Sequence, residues 1–90
     1  MSIKIQIPTP MRPHTENQTT VELDGATVLA LLENLGAKYP AIKAKLFDGN
    51  RVRQYVNLYL NDEDIRYLDN LATAVKDGDE LSIIPAVAGG

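Results

Sequence analysis

Gly89-Gly90, at the C-terminal end of the sequence, is the segment best suited to covalent chemistry. A terminal carboxylate has a pKa of about 3.3–3.7, so it is ionised at neutral pH. Held beside ATP by a partner enzyme, it can attack the α-phosphate, and sulfur can then displace AMP from the acyl-adenylate to leave a thiocarboxylate. Because glycine has no Cβ, such a tail can enter a narrow channel. We predict Gly90 as the covalent acceptor, with Ala88 and Gly89 forming a slim, mobile tail.

The other residue types offer little additional chemistry. Cysteine is absent, which excludes a disulfide framework, a cysteine-based zinc site and any thiol-bound intermediate on this chain. His14 is the only histidine, and in a proline-flanked loop we interpret it as a surface or loop-ordering residue, so we predict no metal site. Asp62, Glu63 and Asp64 lack the spacing of a calcium loop and are interpreted as a solvated turn. We therefore expect a carrier that serves partner enzymes as a co-substrate, and not an enzyme.

Composition narrows the class of protein further. Ninety residues suit one domain, and a net charge of -3 argues against binding to nucleic acid. No apolar run approaches the roughly 18 residues of a membrane helix. The first residues also lack the apolar core of a signal peptide. These features predict a cytoplasmic protein that binds neither nucleic acid nor membrane.

The tail must be carried by a folded body, and hydrophobic periodicity predicts its elements. We expect strands over residues 3–7, 19–23, 53–60, 65–67 and 81–85, helices over residues 27–38 and 40–47, and a loop over residues 9–17. Thr27 is the predicted N-cap of the first helix, and Gly78 the positive-φ residue of a turn. This order predicts an α+β fold in which one main helix covers one face of a mixed, mostly antiparallel sheet. The first and last strands would be neighbours, as in a β-grasp domain of residues 1–85, and residues 86–90 would form the tail.

Three residues are predicted to form a partner-binding surface on the uncovered face of the sheet. If Val56 and Leu58 face the helix, Tyr55 and Tyr59 lie on the opposite face, and Ile84 joins them by the same alternation. An exposed aromatic and aliphatic patch beside the tail suits docking, and we add Val87 to it. The alternatives are that loop 9–17 covers these residues or that they merely fill sheet surface.

Four arginines could also pair with acidic partner surfaces. They are Arg12, Arg51, Arg53 and Arg66. Single surface charges more often serve solubility, so none of them receives a predicted role.

Several segments of the sequence resemble one protein family. They are YVNLYLNDEDIR at residues 55–66, LAT at 71–73, DGD at 77–79 and IIPAVAGG at 83–90. Together they resemble the MoaD/ThiS family of ubiquitin-like sulfur carrier proteins. IPT at 7–9 and RPHT at 12–15 are most similar to its CysO branch, the carriers for cysteine biosynthesis.

The resemblance implies a β-grasp fold and a specific set of partners. An E1-like adenylyltransferase of the MoeB/ThiF-like kind would adenylate the terminal glycine, which then becomes a thiocarboxylate. In the CysO branch the sulfur passes to a PLP-dependent cysteine synthase that uses O-phosphoserine, and a metal-dependent peptidase releases the cysteine adduct. ATP, PLP and the metal would belong to these partners, with no cofactor bound by this chain.

Three other functions remain open at this point. The small subunit of molybdopterin synthase would use the same tail to supply sulfur for the molybdenum cofactor. A ubiquitin-like protein modifier would join Gly90 to lysines. A non-covalent β-grasp adaptor would not need Gly90 at all.

Overall fold

The computed structural model describes residues 2–85, which form one five-stranded sheet, a small hairpin and two helices. The strands are β1 (Ile3–Gln6), β2 (Thr20–Leu23), β3 (Phe47–Asp48), β4 (Arg51–Val52), β5 (Val56–Leu60), β6 (Glu63–Asp64) and β7 (Glu80–Pro85). The helices are α1 (Val28–Lys38) and α2 (Pro40–Leu46), and short 3-10 helices span Thr9–Thr15, Ile65–Tyr67 and Asn70–Ala72. The predicted tail, residues 86–90, lies outside the described residues.

The main sheet places the two ends of the described chain side by side. Its strand order is β2-β1-β7-β5-β6, and β3 pairs only with β4. β1 is antiparallel to β2 but parallel to β7, and β7 is antiparallel to β5. A hairpin, a covering helix and a last strand inserted next to the first confirm the predicted β-grasp arrangement.

One face of this sheet is covered by the helices and forms the core. Side chains alternate along each strand, so every second residue of β1, β5 and β7 points to the same face. The fully buried strand and helix residues include Ile3, Ile5, Leu81, Val28, Leu31, Leu32, Leu35, Ile42 and Leu46. The core therefore lies between the sheet and the α1–α2 pair, which leaves the other sheet face uncovered.

Helix α1 begins and ends where the sequence predicts. The Thr27 side-chain oxygen accepts a hydrogen bond from the Ala30 N–H at 3.2 Å, which satisfies one donor of the first turn. Pro40 ends the helix because it disfavours helical geometry at the preceding residue. Gly36 is buried against α2, and a Cβ there would lie 3.3 Å from the Lys43 Cβ, so the two helices approach closely at this position. Among the described residues, no helix has the length and apolar character needed to cross a membrane.

The predicted loop over residues 9–17 is wrong in its first seven residues, which form the 3-10 helix Thr9–Thr15. Proline fixes φ near -65°, which suits 3-10 geometry, so Pro10 and Pro13 support the helix that they were expected to prevent. Met11 and Thr15 are buried, and the segment packs against α2.

Two predicted strand assignments are also corrected. Residues 65–67 form a 3-10 helix because the Asp64 carboxylate accepts the Arg66 N–H at 2.9 Å and caps a turn there. The strand predicted from Arg53 begins at Val56, since the Val56 N–H donates to the Arg53 carbonyl at 3.0 Å and closes a turn instead. The predicted turn at Gly78 is confirmed, with φ at 91°.

Candidate functional site

The position of Pro85 determines which surfaces can act together with the tail. Pro85 ends β7 and pairs with Val56 of β5. Gly90 is the fifth residue after Pro85, and an extended chain covers at most about 3.3–3.6 Å per residue. A surface that works with Gly90 must therefore lie close to the end of β7. Gly90, Gly89, Ala88 and Val87 themselves lie outside the described residues, so their predicted roles stay predictions.

Two of the predicted docking residues lie together on the uncovered face beside this end. Ile84 is opposite Asn57 and Tyr59 is opposite Ser82 in the β5–β7 ladder, which makes Tyr59 a diagonal neighbour of Ile84. Ile84 is 47% exposed and Tyr59 is half-buried. The geometry gives the two side chains one surface, and their role in docking stays a prediction.

Tyr55 does not share that surface. The turn before β5 breaks the alternation that would have placed it beside Tyr59. Its hydroxyl instead donates to the Lys45 carbonyl of α2 at 3.2 Å, on the side of the helices, and the residue is 36% exposed. The prediction that Tyr55 belongs to the uncovered face is wrong, because a backbone turn interrupts the strand pattern.

Sequence reasoning missed an ion pair that extends the uncovered face. Asp64 lies opposite Tyr59 in the β5–β6 ladder, and it accepts hydrogen bonds from Arg66 Nε at 3.1 Å and Nη2 at 2.6 Å. These hydrogen bonds hold the pKa of Asp64 below its ordinary value, and the Asp64 carboxylate raises the pKa of Arg66. Tyr67 follows Arg66 in sequence and is 82% exposed. The Arg66 guanidinium is therefore held by Asp64 at this edge of the sheet.

The interpretation of residues 62–64 as a solvated turn is only partly correct. Asp62 lies in the reversal with φ at 69°, but Asp64 is buried and belongs to β6. The signal that could have identified it is the Asp-x-Arg spacing, because an aspartate carboxylate can accept hydrogen bonds from both the backbone N–H and the guanidinium of an arginine two residues later. Within the part of the chain that the structure describes, no three His, Asp or Glu side chains are grouped to hold a metal ion.

A cleft of about 340 Å³ lies on the other side of the β7 end. One wall comes from the end of β1 and the segment after it, and the other from Ser82 to Pro85. Arg12 also lines this cleft, and its Nε donates to the Ile7 carbonyl at 3.1 Å. The 3-10 helix carrying Arg12 packs against α2 and leaves Ile84 exposed, so this segment does not bury the Ile84 surface.

This sheet order, with a last strand that delivers a Gly-Gly end from beside the first, defines a ubiquitin-like β-grasp protein. The model of the ThiS family matches residues 5–90, which include Gly89 and Gly90. The chain belongs to the ThiS family.

Relatives within this family are named as sulfur carriers or protein modifiers. The sulfur carrier protein CysO of Mycobacterium tuberculosis is 44% identical, and the match covers all of both chains. A chain in the crystal structure of the Amycolatopsis orientalis BexX/CysO complex has a TM-score of 0.89 and 43% identity, covering 98% of this chain and 99% of that one. Small archaeal modifier protein 3 of Haloferax volcanii is 40% identical over 74% of this chain and 73% of its own.

Proposed function

We propose that this protein is a sulfur carrier whose reactive group is the Gly90 carboxylate. An E1-like, MoeB/ThiF-like enzyme joins the carboxylate to AMP from ATP and releases pyrophosphate. A sulfur donor of that enzyme system then displaces AMP, which leaves a thiocarboxylate on Gly90. The chain supplies no cofactor in these steps, and ATP is consumed by the partner.

The observation that carries this proposal is the family match running through Gly90, together with full-length relatives named CysO. The fold supports it, because β7 delivers the tail from the centre of the sheet. A body whose two ends share one rigid sheet can be held by an enzyme while a side-chain-free end enters the active site.

As the sulfur acceptor we propose a PLP-dependent cysteine synthase that uses O-phosphoserine, which is what the resemblance to the CysO branch implies. A metal-dependent peptidase would then release cysteine and restore the carboxylate of Gly90. PLP and the metal belong to these partner enzymes.

Docking to such partners would use the uncovered face next to Pro85. Ile84 supplies an exposed aliphatic side chain there, and Tyr59 an aromatic ring on the same face. Val87 would extend this surface along the tail. Tyr55 faces α2, so we expect any contact it makes to belong to a different part of the partner.

The intact mass of the purified chain tests the proposal. After incubation with ATP, sulfide and the E1-like enzyme, replacement of one oxygen by sulfur adds about 16 Da. A chain lacking Gly90 should fold equally well, because that residue lies beyond β7, yet gain no mass. Equal mass gain in the shortened chain would contradict the assignment of Gly90.

A second function, conjugation to proteins, is favoured by the 40% identity to small archaeal modifier protein 3. The same adenylate on Gly90 would then be attacked by a lysine amine, giving an isopeptide bond with loss of AMP. Mass spectrometry of tryptic digests of cell lysates distinguishes the two, because conjugation leaves residues 77–90 joined to target lysines through an isopeptide bond. A small subunit of molybdopterin synthase would instead co-purify with a large subunit.

A further inference from the structure

We propose that Arg12 is a specificity-determining contact whose guanidinium binds a carboxylate side chain that the activating enzyme places in the cleft beside β7. The inference rests on the proposed function and adds the chemistry of the partner surface. Its basis is the position and bonding of the four arginines that the sequence alone could not tell apart.

The structure separates these arginines by what already occupies each guanidinium. Arg66 is paired with Asp64 through two of its nitrogens. Arg53 Nε donates to the Ala44 carbonyl at 2.9 Å, on the helical side. Arg51 is exposed on β4, which belongs to the separate hairpin. Arg12 alone among the four lines the cleft whose other wall is the end of β7.

The side chain of Arg12 is also held in place by hydrogen bonds that leave its two terminal guanidinium nitrogens available. Its Nε donates to the Ile7 carbonyl at 3.1 Å, which fixes the stem of the half-buried side chain. Its backbone carbonyl accepts the Asn17 N–H at 2.8 Å, and the fully buried Thr15 hydroxyl lies 3.2 Å from the same oxygen. Among residues 2–85, the ion pairs are Arg66 with Asp64 and Lys76 with Asp79. The two terminal nitrogens of Arg12 therefore carry no carboxylate of the described chain.

The chemistry of the occupant follows from this arrangement. With Nε committed to Ile7, a carboxylate can still bind end-on across the two terminal nitrogens, which is a bidentate geometry that lysine cannot reproduce. Ile84 and Pro85 line the facing wall, so an acidic residue beside an apolar one fits the cleft. The chain carries a net charge of -3, so most of its surface repels a carboxylate, and the Arg12 guanidinium in the cleft gives that carboxylate one defined place to bind.

The test compares Arg12→Gln with Arg51→Gln, a matched loss of one positive charge outside the cleft. For the E1-like enzyme that loads the wild-type chain, we expect Arg12→Gln to raise Kd and KM at least about tenfold with kcat nearly unchanged. Added salt should weaken wild-type binding more steeply than binding of Arg12→Gln. Arg51→Gln should stay within about twofold of wild type, since single surface charges contribute little.

The outcomes separate this inference from the proposed function. If the wild-type chain is loaded and Arg12→Gln binds like Arg51→Gln, the Arg12 contact is overturned while the carrier function stands. If the wild-type chain neither binds the enzyme nor gains mass, the proposed function fails and the contact fails with it. Should thermal unfolding show that Arg12→Gln is not folded, Arg12→Lys replaces it. That variant keeps the positive charge but not the planar guanidinium, so its affinity for the enzyme should fall at least about threefold. Wild-type affinity in Arg12→Lys would then overturn the contact.

Discussion

The two faces of the main sheet are built from the same strands but serve different purposes. On the covered face, Ile83 belongs to the buried core and is only 2% exposed. On the uncovered face, Ile84 is the next residue in the same strand and is 47% exposed. Alternation along β7 thus places a buried core residue directly beside an exposed one, which we propose as a docking residue. A small domain can change its partners on one face without rebuilding its core.

The largest expected effect comes from this isoleucine pair. Ile83→Ala removes a buried side chain and should lower the free energy of unfolding by about 2–5 kcal/mol. Ile84→Ala removes the same atoms from an exposed position and should cost about 1 kcal/mol or less. Urea unfolding of both variants measures the difference. Equal losses would show that the uncovered face contributes to the core, which would invalidate the comparison.

The two tyrosines form a second pair, in which we expect the residue on the uncovered face to matter more for partner affinity than the residue on the helical side. Tyr59→Ala should weaken binding to the activating enzyme about tenfold, since aromatic residues at the centre of an interface dominate its energy. Tyr55→Ala should change affinity less than about threefold. It should instead reduce stability by about 1 kcal/mol through loss of its hydrogen bond to Lys45. Calorimetric titration and urea unfolding of each variant measure the two quantities. A stronger affinity loss in Tyr55→Ala would place the docking surface on the helical side.

The smallest expected effect is the pH-dependent contribution of the Asp79 carboxylate to the free energy of unfolding. Burial alone would raise the pKa of Asp79, but hydrogen bonds from the Lys76 N–H, the Asn61 amide and the Lys76 ammonium hold it below its ordinary value. Its folded pKa lies below its unfolded pKa of about 3.9, so its stabilisation is present above pH 4 and is lost as pH falls through the folded pKa.

Asp79→Asn should therefore be less stable than wild type at pH 7, and the two stabilities should converge as the pH falls below about 4 and through the folded pKa of Asp79. Asp48→Asn is the control, because it removes one carboxylate from an exposed position on β3. Urea midpoints across this range test the prediction. Parallel curves for wild type and Asp79→Asn would show that Asp79 makes no pH-dependent contribution.

Much of the body of this fold follows from its sequence, because periodicity and capping are local. Alternating apolar residues define the strands, as Ile3 and Ile5 do in β1 and Leu81 and Ile83 do in β7. Helical spacing that begins at the N-cap Thr27 defines α1. The order of these elements also predicts that the first and last strands are neighbours, and the pairing of β1 with β7 confirms it.

The details that failed depend on backbone turns and non-local contacts. Nothing in the alternation of residues 53–60 shows that a hydrogen bond between Val56 and Arg53 interrupts the strand and redirects Tyr55. The burial of Asp64 depends on Arg66 folding back over it, and the position of Arg12 depends on a proline-rich segment packing against α2. Side-chain partners of this kind are set by the tertiary structure and not by the sequence pattern.

The central claim is that Gly90 carries the sulfur, and the chain recovered from its own cells tests it most directly. Lys76 is the last basic residue in the sequence, so trypsin releases residues 77–90 as one C-terminal peptide. We predict that a fraction of this peptide is heavier by about 16 Da and that fragment ions assign the added mass to Gly90. Sulfur found on any other residue, or a C-terminal peptide that is unmodified while the sulfur-transfer pathway is active, would contradict the account.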